Sequence, residues 1–348
     1  MGLADAGFDV TVFCPHGSAP APTRLQGVNL QYVKRRRGVV GSLLYDLACL
    51  WRSRAAFDVV YMLGYASSPF CILPRLTGTR VWINMDGLEW RRSKWSPAAS
   101  FWLEMCEWFA CWSSSRLIFD NRAVAEDVLS RRGERIPSNV IPYGADLVPP
   151  SADDEVLEHY GLEAGEYYLA VGRFEPENQI RELIEAHCAS GVQRPLVLVT
   201  NDVDSAYARD TRALAGDRIR FLGSVYEPER LVSLREQCRA YLHGHSVGGT
   251  NPSLLESMAC GKPVLAHRNP FNWEVLGAAG RWFGDVPELV QQLEVVDGLD
   301  EGALQQEGEA ARDRVSENYT WEQVISTYVE LLGGTVQATS QVQGRRAG

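Results

Sequence analysis

No uninterrupted apolar run in this chain approaches the ~18 residues that a bilayer-crossing helix needs. Met1 is followed by Gly-Leu-Ala-Asp, with no basic segment and no apolar core behind it, so no secretory signal is visible. The eight cysteines, at 14, 49, 71, 106, 111, 188, 238 and 260, form no Cys-x-x-Cys pair and have no paired histidines. Their scatter predicts free thiols in a reducing cytoplasm and argues against a disulfide scaffold and a structural zinc site. Neither Gly-x-Gly-x-x-Gly nor Gly-x-x-x-x-Gly-Lys-Ser/Thr occurs, which removes support for a dinucleotide oxidoreductase and for a P-loop NTPase. A strong basic stripe, a helix-turn-helix and zinc-finger spacing are missing as well, so nucleic acid is not an expected partner.

What is there is ordinary globular material, 45% hydrophobic and 22% charged over 348 residues, enough for two cores. The net charge of −10 is unevenly spread. Residues 1–150 carry 17 Lys+Arg against 13 Asp+Glu, or +4, and residues 151–348 carry 17 against 31, or −14. A mildly basic front half suggests an anionic partner there.

Short β-branched or apolar runs alternate with helical patterns along nearly the whole length. Strands are expected at 9–14, 28–33, 57–63, 80–84, 116–119 and 140–142, and again at 167–172, 195–200, 218–223, 239–243 and 263–267. Helices are expected between them, at 98–112, 123–131, 180–189, 229–237 and 272–279. The alternation predicts an α/β chain of two doubly wound, Rossmann-like domains, each with a parallel sheet, facing a cleft. The Pro-rich polar stretch 147–154 reads as the linker. Domain 1–147 precedes it and domain 155–318 follows it. A helix at 319–333 is expected to pack back on the first domain, and 335–348 to be a flexible tail. The chain opens on what reads as a helix end followed directly by a strand. In a doubly wound fold the first strand of the front domain would then lie upstream of Met1, so truncation is expected.

The chemistry concentrates in His243-Gly-His-Ser-Val-Gly-Gly-Thr-Asn-Pro-Ser-Leu-Leu-Glu256, followed by Ser-Met-Ala-Cys-Gly261. A Gly-rich loop runs into a helix with Asn251 as its cap and Pro252 at the first turn. Free amides and the helix dipole there suit a phosphate, and Glu256 could accept hydrogen bonds from vicinal sugar hydroxyls. Local spacing fits a capped helix with a solvated Glu256 equally well.

Four ordered segments settle the comparison with known families. The block 243–261, the segment Asn84-Met-Asp-Gly-Leu-Glu-Trp-Arg-Arg-Ser-Lys-Trp95, the segment Val140-Ile-Pro-Tyr-Gly-Ala-Asp146 and the segment Val171-Gly-Arg-Phe-Glu-Pro-Glu-Asn-Gln-Ile180 together resemble retaining glycosyltransferases of family 4, with the GT-B fold. They are most similar to the bacterial rhamnosyltransferase-like subgroup. The resemblance covers roughly residues 3–332. It implies transfer of a sugar, L-rhamnose from dTDP-L-rhamnose, onto a glycan or lipid-linked acceptor in bacterial polysaccharide synthesis, with retention and without a metal or other cofactor. By the same resemblance Arg173 grips the donor diphosphate, Glu256 holds the ribose, and Gly249, Thr250, Asn251 and Ser253 face the diphosphate and sugar. Glu274 and His245 lie beside them on the donor side.

Two positions depart from the general family pattern. Gly248 stands eight residues before Glu256, where a glutamate is usual, and Asn178 stands where a lysine is usual. Both suit the rhamnosyl subgroup. A UDP- or GDP-sugar transferase, and a truncated nucleotide-sugar-binding protein without activity, are the alternatives.

In the front half, Asp86, Glu89, Arg91, Arg92 and Lys94 follow a strand end, where ligands bind in such sheets. Asp86 or Glu89 could orient the acceptor hydroxyl and the cations could meet phosphate; a solvated charged loop is the alternative. The basic run 34–37 and Trp90, Trp95, Trp102, Trp108 and Trp112 could seat a cytoplasmic protein on the inner face of an anionic membrane. A packed helix would show the same aromatic spacing.

Overall fold

The computed structural model describes residues 1–17, 21–92, 95–133, 136–147 and 154–346. The expected linker, 147–154, falls almost entirely outside them. In the front half, strands Thr11–Pro15 (β1), Arg24–Leu25 (β2) and Val28–Val33 (β3) form one sheet in the order β1-β3-β2. Strands Val59–Leu63 (β4), Arg80–Asn84 (β5), Arg116–Phe119 (β6) and Ser138–Val140 (β7) form a second, parallel sheet. The front half therefore carries two sheets where one was expected, because no ladder joins β1 to β4 among the described residues. The extra strand β2 is two exposed residues on a hairpin, turned by Gln26 and Gly27 at positive φ.

The second half is one continuous parallel sheet. Its strands are Tyr168–Val171 (β8), Leu196–Val199 (β9), Ile219–Gly223 (β10), Ala240–His243 (β11), Val264–His267 (β12) and Arg281–Phe283 (β13). They lie in the order β10-β9-β8-β11-β12-β13. Helices cover both faces, which is why β9 is apolar throughout, Leu-Val-Leu-Val, and wholly buried. Alternate residues feed two cores: Leu169, Val197 and Tyr241 pack with Leu254 and Met258 on one face. On the other, Ala170, Leu198 and Leu242 pack with Ile184 and Leu293.

Strand β8 lies between β9 and β11, so the chain leaves β8 and β11 in opposite directions and opens a crevice beyond their carboxyl ends. The helix Trp321–Arg346 returns to the front half. Val324 joins Trp82, Ile118 and Ile141 in a small core, and the Tyr328 and Tyr61 hydroxyls lie 2.8 Å apart. Trp321 packs so close to Gly144 that a Cβ there would stand 2.8 Å from its ring. This helix runs on through most of the stretch expected to be a tail; 335–346 contains no proline to stop it. Residues 347–348 lie outside the described residues.

Candidate donor and acceptor site

Beyond β8, Gly172 and Arg173 begin a tight turn. Asn178 is buried and donates to the Arg173 carbonyl at 2.9 Å, and Asn201 accepts the Phe174 amide at 2.9 Å. The Arg173 side chain is left 57% exposed over the crevice, with Glu175 at 3.2 Å. Beyond β11 the chain passes through Gly244 to His245, whose carbonyl is held by the side-chain amides of Asn269 and Asn272, both at 2.9 Å. The His245 ring stacks on that of His243, with centroids 4.4 Å apart. Burial, with Arg173 and Arg92 nearby, pushes the His245 imidazole down to about 4, so it is neutral at pH 7. His243 is fully buried with both ring nitrogens unpartnered, and burial and its neighbours His245 and His267 hold it well below the usual histidine range.

The Gly248–Asn251 loop follows, and a small cavity beside it is lined by His245, Gly248, Gly249, Asn251, Asn269 and Phe271. Not all the amides expected to be open to a phosphate are open. Ser253 N–H donates to the Asn251 side chain at 2.9 Å, and Thr250 N–H donates to Asp120 at 3.0 Å. The Ser253 hydroxyl turns inward, 2.8 Å from the Tyr241 hydroxyl. Glu256 is 48% exposed on the first turns of the helix Pro252–Ala259 and pairs at 2.6 Å with the buried Arg235, a partner that its spacing did not suggest.

Across the crevice, Asp86 and Gly87 both take positive φ beyond β5. A Cβ on Gly87 would lie 3.5 Å from the Gly248 backbone, so the Asp86 turn faces the Gly248–Asn251 loop directly. The Tyr143 hydroxyl is 3.5 Å from Asp86. Glu89 and Arg92 pair at 2.8 Å, and Arg91 pairs with Asp127 at 2.8 Å, so two of the expected acceptor cations already hold carboxylates. Lys94 lies outside the described residues.

Glu274, expected on the donor side, is engaged at the junction with the front half. Its carboxylate accepts the Arg122 amide at 2.7 and 2.8 Å and the Ala123 amide at 3.1 Å. It caps the front-half helix Arg122–Arg132, whose open amides and dipole attract an anion. Two residues escaped the reading of the sequence altogether. Asp120, beyond β6, meets the donor loop; burial first, then Asp86, pushes its carboxyl up to about 7. Glu107 is fully buried on the helix Pro97–Ser113 and accepts from Arg131, Arg132 and Trp90. The string Gly244-His245-Ser246-Val247-Gly248 also has the Gly-x-Ser-x-Gly spacing of a hydrolase nucleophile. Ser246 instead donates to the Glu177 carbonyl at 3.0 Å, with no imidazole in the bond.

Comparison with known proteins agrees with this layout. Residues 1–144 match a family model described as a glycosyl transferase 4-like domain, and residues 155–298 match one described as glycosyl transferases group 1. O-antigen chain mannosyltransferase B of Escherichia coli is 29% identical over 156 residues, spanning 42% of this chain and 41% of that protein. Among solved structures, sucrose-phosphate synthase from Thermosynechococcus elongatus superposes with a TM-score of 0.79 at 17% identity, over 97% of this chain and 91% of that one. Anabaena HepE, in complex with UDP and glucose, superposes with a TM-score of 0.75 at 17% identity, over 88% of this chain and 86% of that one. With both halves matched, each by its own glycosyltransferase domain model, and the two-domain architecture shared along the chain, this protein has the GT-B glycosyltransferase fold.

Proposed function

We propose that the chain transfers a sugar from a nucleoside diphosphate to a glycan or lipid-linked acceptor, with retention at the anomeric carbon, and that the donor is dTDP-L-rhamnose. The observation that carries this is the meeting, across one crevice, of Arg173, His245 and the Gly248–Asn251 loop with Asp86. Arg173 exchanges Glu175 for the diphosphate and offsets the charge that grows on it as the bond to the sugar lengthens. The bond from the anomeric carbon to the phosphate oxygen breaks. The bond to the acceptor oxygen forms on the same face, and the acceptor proton passes to the departing diphosphate. Asp86 or Glu89 orients that hydroxyl, and Arg91, Arg92 and Lys94 meet acceptor charge. Glu256, with Arg235 behind it, takes the ribose hydroxyls. No dedicated nucleophile, metal or further cofactor enters.

The rhamnosyl donor rests on residue identity. Gly248 removes a carboxylate from the sugar pocket, and Asn178, buried and spent on the Arg173 carbonyl, supplies no cation. A mannosyl donor is the second candidate, favoured by the E. coli relative, a mannosyltransferase in O-antigen chain synthesis. A thermal-shift titration with dTDP, UDP and GDP separates them, since a ligand of the native state raises its melting temperature. A rise with dTDP alone is expected. A rise with GDP or UDP alone would replace the donor, and no rise with any would overturn the nucleotide site.

No helix among the described residues is long and apolar enough to cross a membrane. We place the chain in the cytoplasm and seat it on the inner membrane face by its front half. Phe101, Met105, Trp108 and Trp112 form an exposed stripe on the helix Pro97–Ser113. Lys34–Arg37 and the exposed Val39, Val40 and Trp51 supply cations and apolar contacts in the same half. Cations interleaved with aromatics suit an anionic bilayer carrying a lipid-linked acceptor.

A further inference from the structure

One contact between the two halves at the crevice was invisible in the sequence and has no part in the transfer scheme above. Asp120 stands one residue beyond β6, in the front half, and is 3% exposed. Its Oδ2 accepts the Thr250 amide at 3.0 Å, and the Thr250 hydroxyl donates to the Asp120 backbone carbonyl. Gly249 lies against the same carboxyl group: a Cβ there would overlap both of its oxygens. The φ of Gly249 is one that any residue adopts, so the neighbouring carboxyl group is what excludes a side chain at that position. The other oxygen, Oδ1, is buried with no hydrogen-bond partner. Thr250 and Gly249 belong to the donor loop, so one front-half side chain fixes the part of the back half that must hold the departing diphosphate.

We propose that Asp120 is a positioning residue: its carboxyl group grips the donor loop at Gly249–Thr250 and holds the two domains in the register at which transfer takes place. The grip itself follows from contacts alone; its role in transfer rests on the function proposed above. The nucleoside end of the donor is expected to bind to the back half without it, through Arg173 and Glu256, so losing the grip should slow transfer and spare nucleotide affinity. The grip should also answer to pH. The groups facing Asp120 are Asp86 from the turn beyond β5, Glu274 from the helix Pro270–Leu276, Tyr143 beyond β7 and Tyr328 from the carboxyl-terminal helix. None of them is a cation. The buried carboxyl is therefore favoured neutral, with its raised value near 7. A group raised on folding contributes fully below its unfolded value of 3.8, and loses that contribution as pH rises through 7. The closed form thus weakens as pH rises from 3.8 towards 7 and changes no further above it.

Hydrogen exchange of the Thr250 amide in the full chain reads the grip directly. Asp120→Ala should raise its exchange at least tenfold with the melting temperature nearly unchanged. Gly249→Ala should do the same by steric overlap, and adding it to Asp120→Ala should cost nothing further, since the overlap is then gone. Asp120→Asn, which keeps an acceptor oxygen, should retain protection, flat from about pH 4 to 7 after correction for intrinsic exchange. The wild type should lose protection across that range. With dTDP as the binding probe, Asp120→Ala should keep its Kd within threefold while kcat falls at least tenfold. Unchanged Thr250 exchange in Asp120→Ala would overturn the grip. Lost protection with an unchanged kcat would overturn the positioning role. Protection that follows these patterns in a chain that binds no nucleotide and transfers no sugar would leave the grip standing and overturn the transfer function, the positioning role with it.

Discussion

The two halves solve the same packing problem with different surfaces. The back half is acidic and built on one unbroken sheet with cores on both faces, and its exposed large apolar side chains, such as Tyr226 and Val295, stand apart. The front half is mildly basic and divides its strands between two sheets. It leaves Phe101 66% and Trp112 60% exposed on a single helix face. A contiguous aromatic stripe is costly to leave in water unless something covers it. The difference suits the division of labour proposed above, in which the back half closes on a small soluble donor and the front half meets a larger, surface-bound acceptor. The interactions of Asp120, Glu274 and the Asp86 turn, which join them at the crevice, cross between these unlike surfaces.

Breaking each half separately should show how independent they are. The largest effect on stability is expected at Glu107, whose buried carboxylate holds Arg131, Arg132 and the Trp90 indole. Glu107→Ala should cost about 3 kcal/mol in denaturant unfolding of the front half, the low end for a broken buried pair. The cost sits at that end because the two arginines keep 28% and 18% of their side chains in contact with water. Burial alone would raise the Glu107 carboxyl, but its hydrogen bonds outweigh that and hold it below the usual value of 4.5. Its contribution is therefore present above 4.5 and lost as pH falls through the lowered folded value, so wild type and Glu107→Gln should converge in acid. Equal sensitivity of the two at pH 7 would deny the network its role.

Arg173→Ala should do the opposite. The side chain is mostly in water and pairs with Glu175 at the surface, so the melting temperature should hold. Turnover should fall roughly 100- to 1,000-fold, the cost of removing one group that stabilises charge in a transition state. Near-normal turnover in Arg173→Ala would move the diphosphate site elsewhere.

How much of this was legible in the sequence followed the range of the interactions. Strand β9 could be read because four buried aliphatic residues in a row mark a covered parallel strand. Strands β2 and β13, of two and three residues, are too short to show a period. The helix Pro252–Ala259 could be read from Asn251 and Pro252, whose capping chemistry is local. Asp120 could not, because its partner lies 130 residues away and its neighbour Asn121 reads as an ordinary helix cap. Glu274 carried a donor-side expectation because resemblance reports position in a family. Its partners, 151 and 152 residues distant, are amides with no signature of their own. Glu107 was hidden among the tryptophans of its helix, which drew attention to the exposed face rather than the buried one.

The aromatic stripe gives a sharper test of the front half. Trp108→Ser with Trp112→Ser should lower binding to anionic vesicles about thirtyfold and leave dTDP binding by the back half unchanged, since each ring contributes on the order of 1 kcal/mol at an interface. Binding to anionic vesicles that persists in the double variant would assign the stripe to another occupant, a second copy of the chain being the first to test by sedimentation. Neutral vesicles serve as the control for the arginines at 35–37.

The smallest effect is expected at Glu274, and it bears most directly on how the halves meet. Glu274→Gln keeps one oxygen for the Arg122 and Ala123 amides but removes the charge that faces the helix dipole. Such a charge contributes about 0.3–1 kcal/mol, more when partly buried, so denaturant unfolding should shift by that amount at pH 7. If Glu274 serves only the junction, the affinity for dTDP should stay within twofold and the Thr250 amide should exchange slightly faster. If dTDP affinity instead fell tenfold with stability unchanged, Glu274 would be a donor ligand. Its carboxylate would then have to leave the front-half helix each time a nucleotide binds, and the junction would open and close with every turnover.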